Sequence, residues 1–260
     1  MAEESTHVEG HDVVVRLDHV TKEFVLRHTR SLKEALVWLV KGRRGDLSAK
    51  FKAINDLTLS VHDGEAVALL GLNGSGKSTT LKIISGVMRP DTGTIGVRGR
   101  VAGLIEVGAG FHLDLPGRDN VYLNAAILGM TKEEIDAKFD DIVAFSEIGD
   151  FIDTEVKFYS SGMYLRLAFA VAVHTDPDVF LVDEILAVGD EPFQRKCIAR
   201  IKELVASGKT LVVVSHDLDL VREICERGVV MEKGRLVFDG PSADAVEFLR
   251  SGRADAPHQA

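Results

Sequence analysis

Cysteine is nearly absent. Cys197 and Cys225 are the only two in 260 residues, and neither stands in a C-x-x-C pair. That excludes a disulfide framework and reads as two free thiols in a reducing compartment. Long apolar runs are also missing, since no uninterrupted stretch approaches the roughly 18 residues a membrane span needs. The start, MAEESTHVEGHD, is polar and acidic and lacks the basic lead and apolar core of a secretory signal. The expectation is a chain kept in the cytoplasm, which reaches a membrane only by docking. There is no basic excess either: 31 Lys and Arg face 40 Asp and Glu, for a net charge of -9. That balance argues against nucleic acid as the main partner. Internal repeats and low-complexity segments are absent.

What is present is enough apolar sequence for a sizeable core. The chain is 45% hydrophobic and 27% charged, which suits one large domain or a domain with a subdomain. Val13–Leu17 reads as a strand. Ile54–Val61 alternates apolar and polar, as a half-buried strand does. Glu65–Leu70 is a mostly apolar run, the mark of a buried strand. A glycine-rich turn follows it, then a helix over Lys77–Ser85. Gly93–Gly110 is glycine-rich with short strand-like pieces. Residues 118–158 switch to helical spacing, and Thr131 with Glu134 forms a capping box that starts a new helix. Beyond them, VFLVD and TLVVVS alternate with helices, which predicts βα units and a parallel sheet. Ala243–Arg250 reads as a last short helix. One stretch stands apart: Ser31–Lys41 is an amphipathic helix with Leu32, Ala35, Leu36 and Leu39 on one face. Trp38 extends its apolar surface, and Arg27, Arg30, Lys33, Arg43 and Arg44 make it the most basic part of the chain.

Four motifs carry chemistry. Gly71-Leu72-Asn73-Gly74-Ser75-Gly76-Lys77-Ser78 matches G-x-x-x-x-G-K-[ST] in full, with the required strand before and helix after. Such a loop turns backbone N–H groups onto phosphate oxygens, and the helix points its positive end at the anion. Lys77 can reach the β- and γ-phosphates, and the Ser78 hydroxyl can ligate Mg²⁺. Thr79 follows as a further nucleotide contact. Val179–Glu184 is an apolar strand ending in two carboxylates. Asp183 suits a Mg²⁺ shell, and Glu184 suits a general base for an attacking water. Val212–Asp217 is a second such strand, ending at His216. Alone, it reads best as a capping Ser215 or Asp217 beside an incidental histidine. Tyr159-Ser160-Ser161-Gly162-Met163 opens a helical run. Its residues fit an anion site and an ordinary N-cap equally well.

The order of these parts resembles the nucleotide-binding domain of ABC transporters over residues 13 to 240. The resemblance implies an α/β P-loop NTPase fold with a mixed sheet, an antiparallel β subdomain and a helical subdomain. Residues 1–12 would be disordered and 13–240 the ATPase domain. Within it, 27–50 would be a basic amphipathic helix insert and 107–160 the helical subdomain. A short helix and tail would fill 241–260. It also implies ATP and Mg²⁺ as cofactors and a homodimer that sandwiches two ATP molecules. Ser160, Ser161 and Gly162 would then face the γ-phosphate held by the other copy. In its own copy's site, His216 would hold the γ-phosphate and Glu184 would be the base. Ala187-Val188-Gly189-Asp190 would communicate between the two sites. Phe24 would stack on adenine, with Phe51 a second candidate.

Two departures narrow the resemblance. YSSGM stands where the family usually has Leu-Ser-Gly-Gly-Gln, and Glu106 stands in place of a glutamine as a candidate Mg²⁺ ligand. With GAGFHLDLPGRDNVYLNAAILG and the basic insert, they resemble the branch that exports lipid-linked polysaccharides such as O-antigen, teichoic acid and galactan precursors. That branch implies a separate transmembrane permease, a peripheral position on the cytoplasmic face of the inner membrane, and contact with the membrane surface through Ser31–Lys41. About twenty residues follow Gly240, too few for a carbohydrate-binding domain, so substrate choice is expected to lie with the membrane partner. The alternatives are another transporter class, a soluble ABC ATPase, which typically joins two cassettes in one chain, and a P-loop kinase, which would have no use for the Ser-Ser-Gly helix start.

Overall fold

The computed structural model describes residues 12–27, 48–104, 110–183 and 190–252. Two sheets and a helical subdomain share them. The first sheet is antiparallel. Strand β1 (Val13–Arg27) lies between β2 (Ser48–His62) and β4 (Thr92–Val97). Val15, Leu17, Val20, Ile54, Leu57, Leu59 and Val61 form its buried face. Strand β1 runs ten residues past Leu17, where alternation ends in the polar Asp18–Glu23. The strand survives there because it is bulged, with register shifts on both sides of Val20 and His19 at φ 49°. The ribbon stays paired out to Arg27 opposite Ser48. Both margins of the expected 27–50 insert are therefore strand. The expected Ser31–Lys41 helix lies outside the described residues, as do residues 1–11 and the tail from 253.

The second sheet holds β3 (Ala66–Leu70), β5 (Val101–Leu104), β6 (Val179–Asp183), β7 (Thr210–Val214), β8 (Arg227–Glu232) and β9 (Arg235–Pro241). Its order is β5-β6-β7-β3-β8-β9. All neighbours are parallel except β8 and β9, so the sheet is mixed. Every residue of β3 and β7 is buried, which explains their unbroken apolar runs: helices or the first sheet cover both faces. Helix α1 (Lys77–Ile84) leaves β3 through the glycine-rich turn.

The helical subdomain is α2 (Gly117–Ile127), α3 (Lys132–Ser146) and α4 (Ser161–His174). Thr131 and Glu134 make the capping box, each side chain bonded to the other's backbone. The subdomain has its own core of Val121, Ala125, Ile135, Ile142, Leu167 and Val171. Helix α4 is apolar all round along Leu167–Val173 because it is a shared wall. Its Phe169 and Val173 pack into the main core with Phe193 and Cys197 of α5 (Glu191–Ala206). Helix α6 (Leu218–Ile224) and the last helix, α7 (Ser242–Ser251), close that core. Helix α7 buries Ala245 and Val246 against the strands, and Gly228 of β8 is a glycine where Ala245 comes closest. Among the described residues, no helix is long and apolar enough to cross a membrane.

Candidate functional site

Register brings the site together. Leu69 of β3 lies opposite Val214 of β7, and Val214 lies opposite Asp183 of β6. Three strands therefore end level, and the turn at Gly71, the carboxylate of Asp183 and the Ser215-His216 pair share one sheet edge. In open parallel sheets that carboxyl edge is where ligands bind.

The Gly71–Ser78 loop is fixed by its own backbone. Ser75 N–H donates to Leu72 O at 3.1 Å, and Gly234 N–H donates to Ser75 O at 2.9 Å. Gly76 is the N-cap of α1 with φ 109°. A Cβ there would overlap the carbonyl of Ala53 on β2, so only glycine fits. No side chain caps this helix start, which leaves first-turn N–H groups for an anion. The Lys77 ammonium is drawn inward, donating to Gly71 O at 2.9 Å and Leu72 O at 3.1 Å. Asn73 and Gly74 form the exposed rim, Ser78 is exposed in the first turn of α1, and Thr79 is half-buried. Ser75 Oγ is buried without a hydrogen-bond partner. A hydroxyl left so costs about 1–3 kcal/mol. The orphaned hydroxyl, the uncapped helix and the inward cation all fit a phosphate group.

Asp183 ends β6 half-buried, level with Val214. Among the described residues, no group of three or more His, Cys, Asp or Glu forms a cage for a metal. Ser78 and Asp183 fit a cation that shares its shell with phosphate and water. Glu106 and Glu184, with Ala187, Val188 and Gly189, lie outside the described residues. His216 is exposed at the sheet edge. Its neighbours do the capping: Ser215 Oγ accepts from Asp217 N–H at 3.0 Å, and Asp217 Oδ1 accepts from Asp219 and Leu220 N–H at 3.1 and 3.0 Å. These bonds fix the backbone on either side of the histidine. A cavity of about 250 Å³ joins Gly71, Ser215 and His216 to Leu249 and Arg250 of α7. In the sequence only the apolar Phe248 and Leu249 signal that last wall.

The two adenine candidates are one pair. Phe24 of β1 lies opposite Phe51 of β2, and both rings are exposed. Phe51 is two residues from Ala53, whose backbone carbonyl abuts Gly76, so the aromatic pair stands near the glycine-rich loop along β2.

Ser160 caps α4: its Oγ accepts from Met163 N–H at 3.1 Å. Ser161 is exposed and Gly162 half-exposed. Tyr159, just ahead, is partly buried, and that burial pushes its phenol up to about 12. None of Ser160, Ser161 and Gly162 lines the cavity beside Gly71. The Ser-Ser-Gly start opens α4 of the helical subdomain, whereas the Gly71–Ser78 loop joins β3 to α1 of the main sheet.

Comparison with known proteins places this arrangement. The family model described as ABC transporter matches residues 54–187. The chain is 47% identical over 227 residues to the ABC transporter protein AbcA of Aeromonas salmonicida, covering 87% of this chain and 72% of that protein. It is 41% identical over 249 residues to the O-antigen export system ATP-binding protein RfbB of Klebsiella pneumoniae, covering 93% of this chain and 99% of that one. It is also 41% identical over 236 residues to the teichoic acids export ATP-binding protein TagH of Levilactobacillus brevis, covering 91% of this chain and 64% of that one. The fold matches the solved ATP-binding subunit of an ABC transporter with TM-score 0.71 and 22% identity, covering 94% and 95% of the two chains. It matches a dimeric post-hydrolysis ATP-binding cassette bound to ADP and Pi with TM-score 0.69 and 23% identity, covering 88% and 98%. With its phosphate-type loop, mixed sheet and helical subdomain in this order, the chain belongs to the ABC transporter family.

Proposed function

We propose that this chain is the ATP-hydrolysing motor subunit of an exporter that moves a lipid-linked polysaccharide across the cytoplasmic membrane. Its family makes it a nucleotide-binding ATPase. The observation that carries the export reading is the 41% identity spread over 99% of an O-antigen export ATP-binding protein.

In this reading the Gly71–Ser78 loop cradles ATP. Binding draws the Lys77 ammonium off the Gly71 and Leu72 carbonyls onto the phosphates, and gives Ser75 Oγ its missing partner. Gly71, Asn73, Gly74, Ser75, Gly76 and Thr79 supply backbone and hydroxyl contacts. The Phe24 and Phe51 pair takes the adenine. Ser78, Asp183 and Glu106 would hold a Mg²⁺, which supplies charge neutralisation at the β- and γ-phosphates when bound. Glu184 accepts a proton from the attacking water, and His216 hydrogen-bonds the γ-phosphate.

Ser160, Ser161 and Gly162 act across a dimer, a reading that the dimeric state of the solved ATP-binding cassettes supports. They serve the loop of a second copy, so the working unit is a homodimer with two shared sites. Its partner in the membrane is a separate permease, and the motor sits peripherally on the cytoplasmic face. The basic, apolar Ser31–Lys41 segment suits contact with lipid headgroups there. Depleting the protein in its host tests the export reading. A lipid-linked glycan is expected to accumulate on the cytoplasmic side, and a normal complement of such intermediates would overturn it.

A further inference from the structure

Helices α1 and α7 lie on opposite faces of the second sheet. Alternation along β3 sets this: Leu69 packs with Leu81 and Ile83 of α1, and Leu70 packs with Ala245 and Val246 of α7. Helix α1, with its uncapped start, covers one face. The cavity of about 250 Å³ beside Gly71 opens on the other. It is far larger than the roughly 10–15 Å³ that one water needs. Leu70, Leu218 and Leu249 give it apolar walls, and Gly71 and His216 join it to the carboxyl edge of the sheet.

Its charge has one sign. Among the described residues that line it there is no carboxylate, in a chain with 40 Asp and Glu. Arg250 supplies the fixed positive charge. That side chain is exposed in the last turn of α7 and makes no ion pair with any described residue. Ser215 Oγ accepts from Asp217 N–H at 3.0 Å, which leaves its own proton to donate. A cation in the last turn of a helix also complements the helix dipole. The dipole alone does not call for an acid-free cavity that leads to Gly71 and His216.

We infer that this cavity is a second phosphate site, which receives the inorganic phosphate cleaved from ATP and leads it out on the face away from α1, with Arg250 as its counter-charge. This rests on the reading that sets the γ-phosphate between the Gly71 loop and His216. ADP stays anchored at the start of α1 while the phosphate departs. Three leucines offer a phosphate dianion nothing in return for its lost water, so the passage needs a cation. A guanidinium meets phosphate with two parallel donors.

The test follows ATP hydrolysis by the full chain as inorganic phosphate is added at constant ionic strength. Arg250→Lys, Arg250→Gln and Arg250→Glu make a charge series at an exposed position, where folding is little affected. Wild type should be inhibited by phosphate. Half-inhibition should need about twice as much phosphate in the Lys variant and about fivefold more in the Gln variant, the scale of one partly exposed charged contact. The Glu variant should need more still. KM for ATP and inhibition by ADP should stay within about twofold of wild type. If Arg250 instead touched the γ-phosphate of bound ATP, KM would rise by the same factor, and that result would overturn the release site. A wild type indifferent to phosphate, or Gln and Glu variants inhibited like wild type, would overturn the inference alone when Lys77→Met is inactive. A Lys77→Met chain that hydrolyses ATP normally would overturn the loop reading and the inference with it.

Discussion

The Tyr159 phenol donates to the carbonyl of Phe151 at 2.8 Å and fills the space where any side chain at Gly117 would stand. This contact clamps the loop ahead of Ser160 onto the start of α2. Gly117 N–H adds a bond to Thr154 O at 3.1 Å, and Arg118 pairs with Asp153 at 2.8 Å. The helix start that would face the second nucleotide is thus held from behind by a glycine some forty residues earlier in the chain.

Replacing that glycine is the direct probe of the clamp. Gly117→Ala puts a methyl group into the phenol oxygen and should cost about 1–3 kcal/mol, the usual range for overpacking. Tyr159→Phe alone should cost about 1 kcal/mol for the lost hydrogen bond. Because Tyr159→Phe removes the overlapping atom, the double variant should be more stable than the two single costs predict. Urea denaturation of the four proteins measures this. Strict additivity would show that the two residues do not share the space.

The two cysteines make a pH prediction. Burial pushes both the Cys197 and the Cys225 thiol up to about 12. Only the thiolate is nucleophilic, so neither should react with a disulfide reagent in the folded protein at pH 8. Both should react once the chain is unfolded. The folded state holds these protons more tightly than the unfolded one. Their contribution to stability is therefore complete below the ordinary thiol range near pH 9 and is lost as pH rises towards 12. Replacing both by alanine should flatten the fall in melting temperature over that window. An unchanged slope, or fast labelling of the native protein, would contradict their burial.

Much of this was legible in the sequence, for identifiable reasons. Buried parallel strands write themselves as apolar runs, so β3, β6 and β7 and the motifs at their ends were plain. The capping box at Thr131 and Glu134 is a local device and reads locally. What was hidden depends on partners far along the chain. Strand β1 continues past Leu17 because β2 and β4 pair with a polar, bulged stretch that has no alternation to announce it. Helix α7 looked like a terminal appendage, but Ala245 and Val246 belong to the main core. Arg166 sat in plain view as a lone charge beside LAFAVAV. Its partners, Glu147 and Asp190, lie 19 and 24 residues away and came only with the fold. That Phe24 and Phe51 are neighbours was hidden in the same way, because only the strand register pairs them.

In the proposed function the Gly71–Ser78 loop is half of a site, completed by Ser160 of a second copy. Sedimentation of the Glu184→Gln variant, with and without ATP, tests it most directly, with Lys77→Met as the control that should not bind. Slowed hydrolysis should hold the ATP-bound pair together. A dimer with ATP that reverts to monomer without it, and no dimer in the Lys77→Met control, is the predicted result. A Glu184→Gln chain that binds ATP and stays monomeric at saturating nucleotide would contradict the claim.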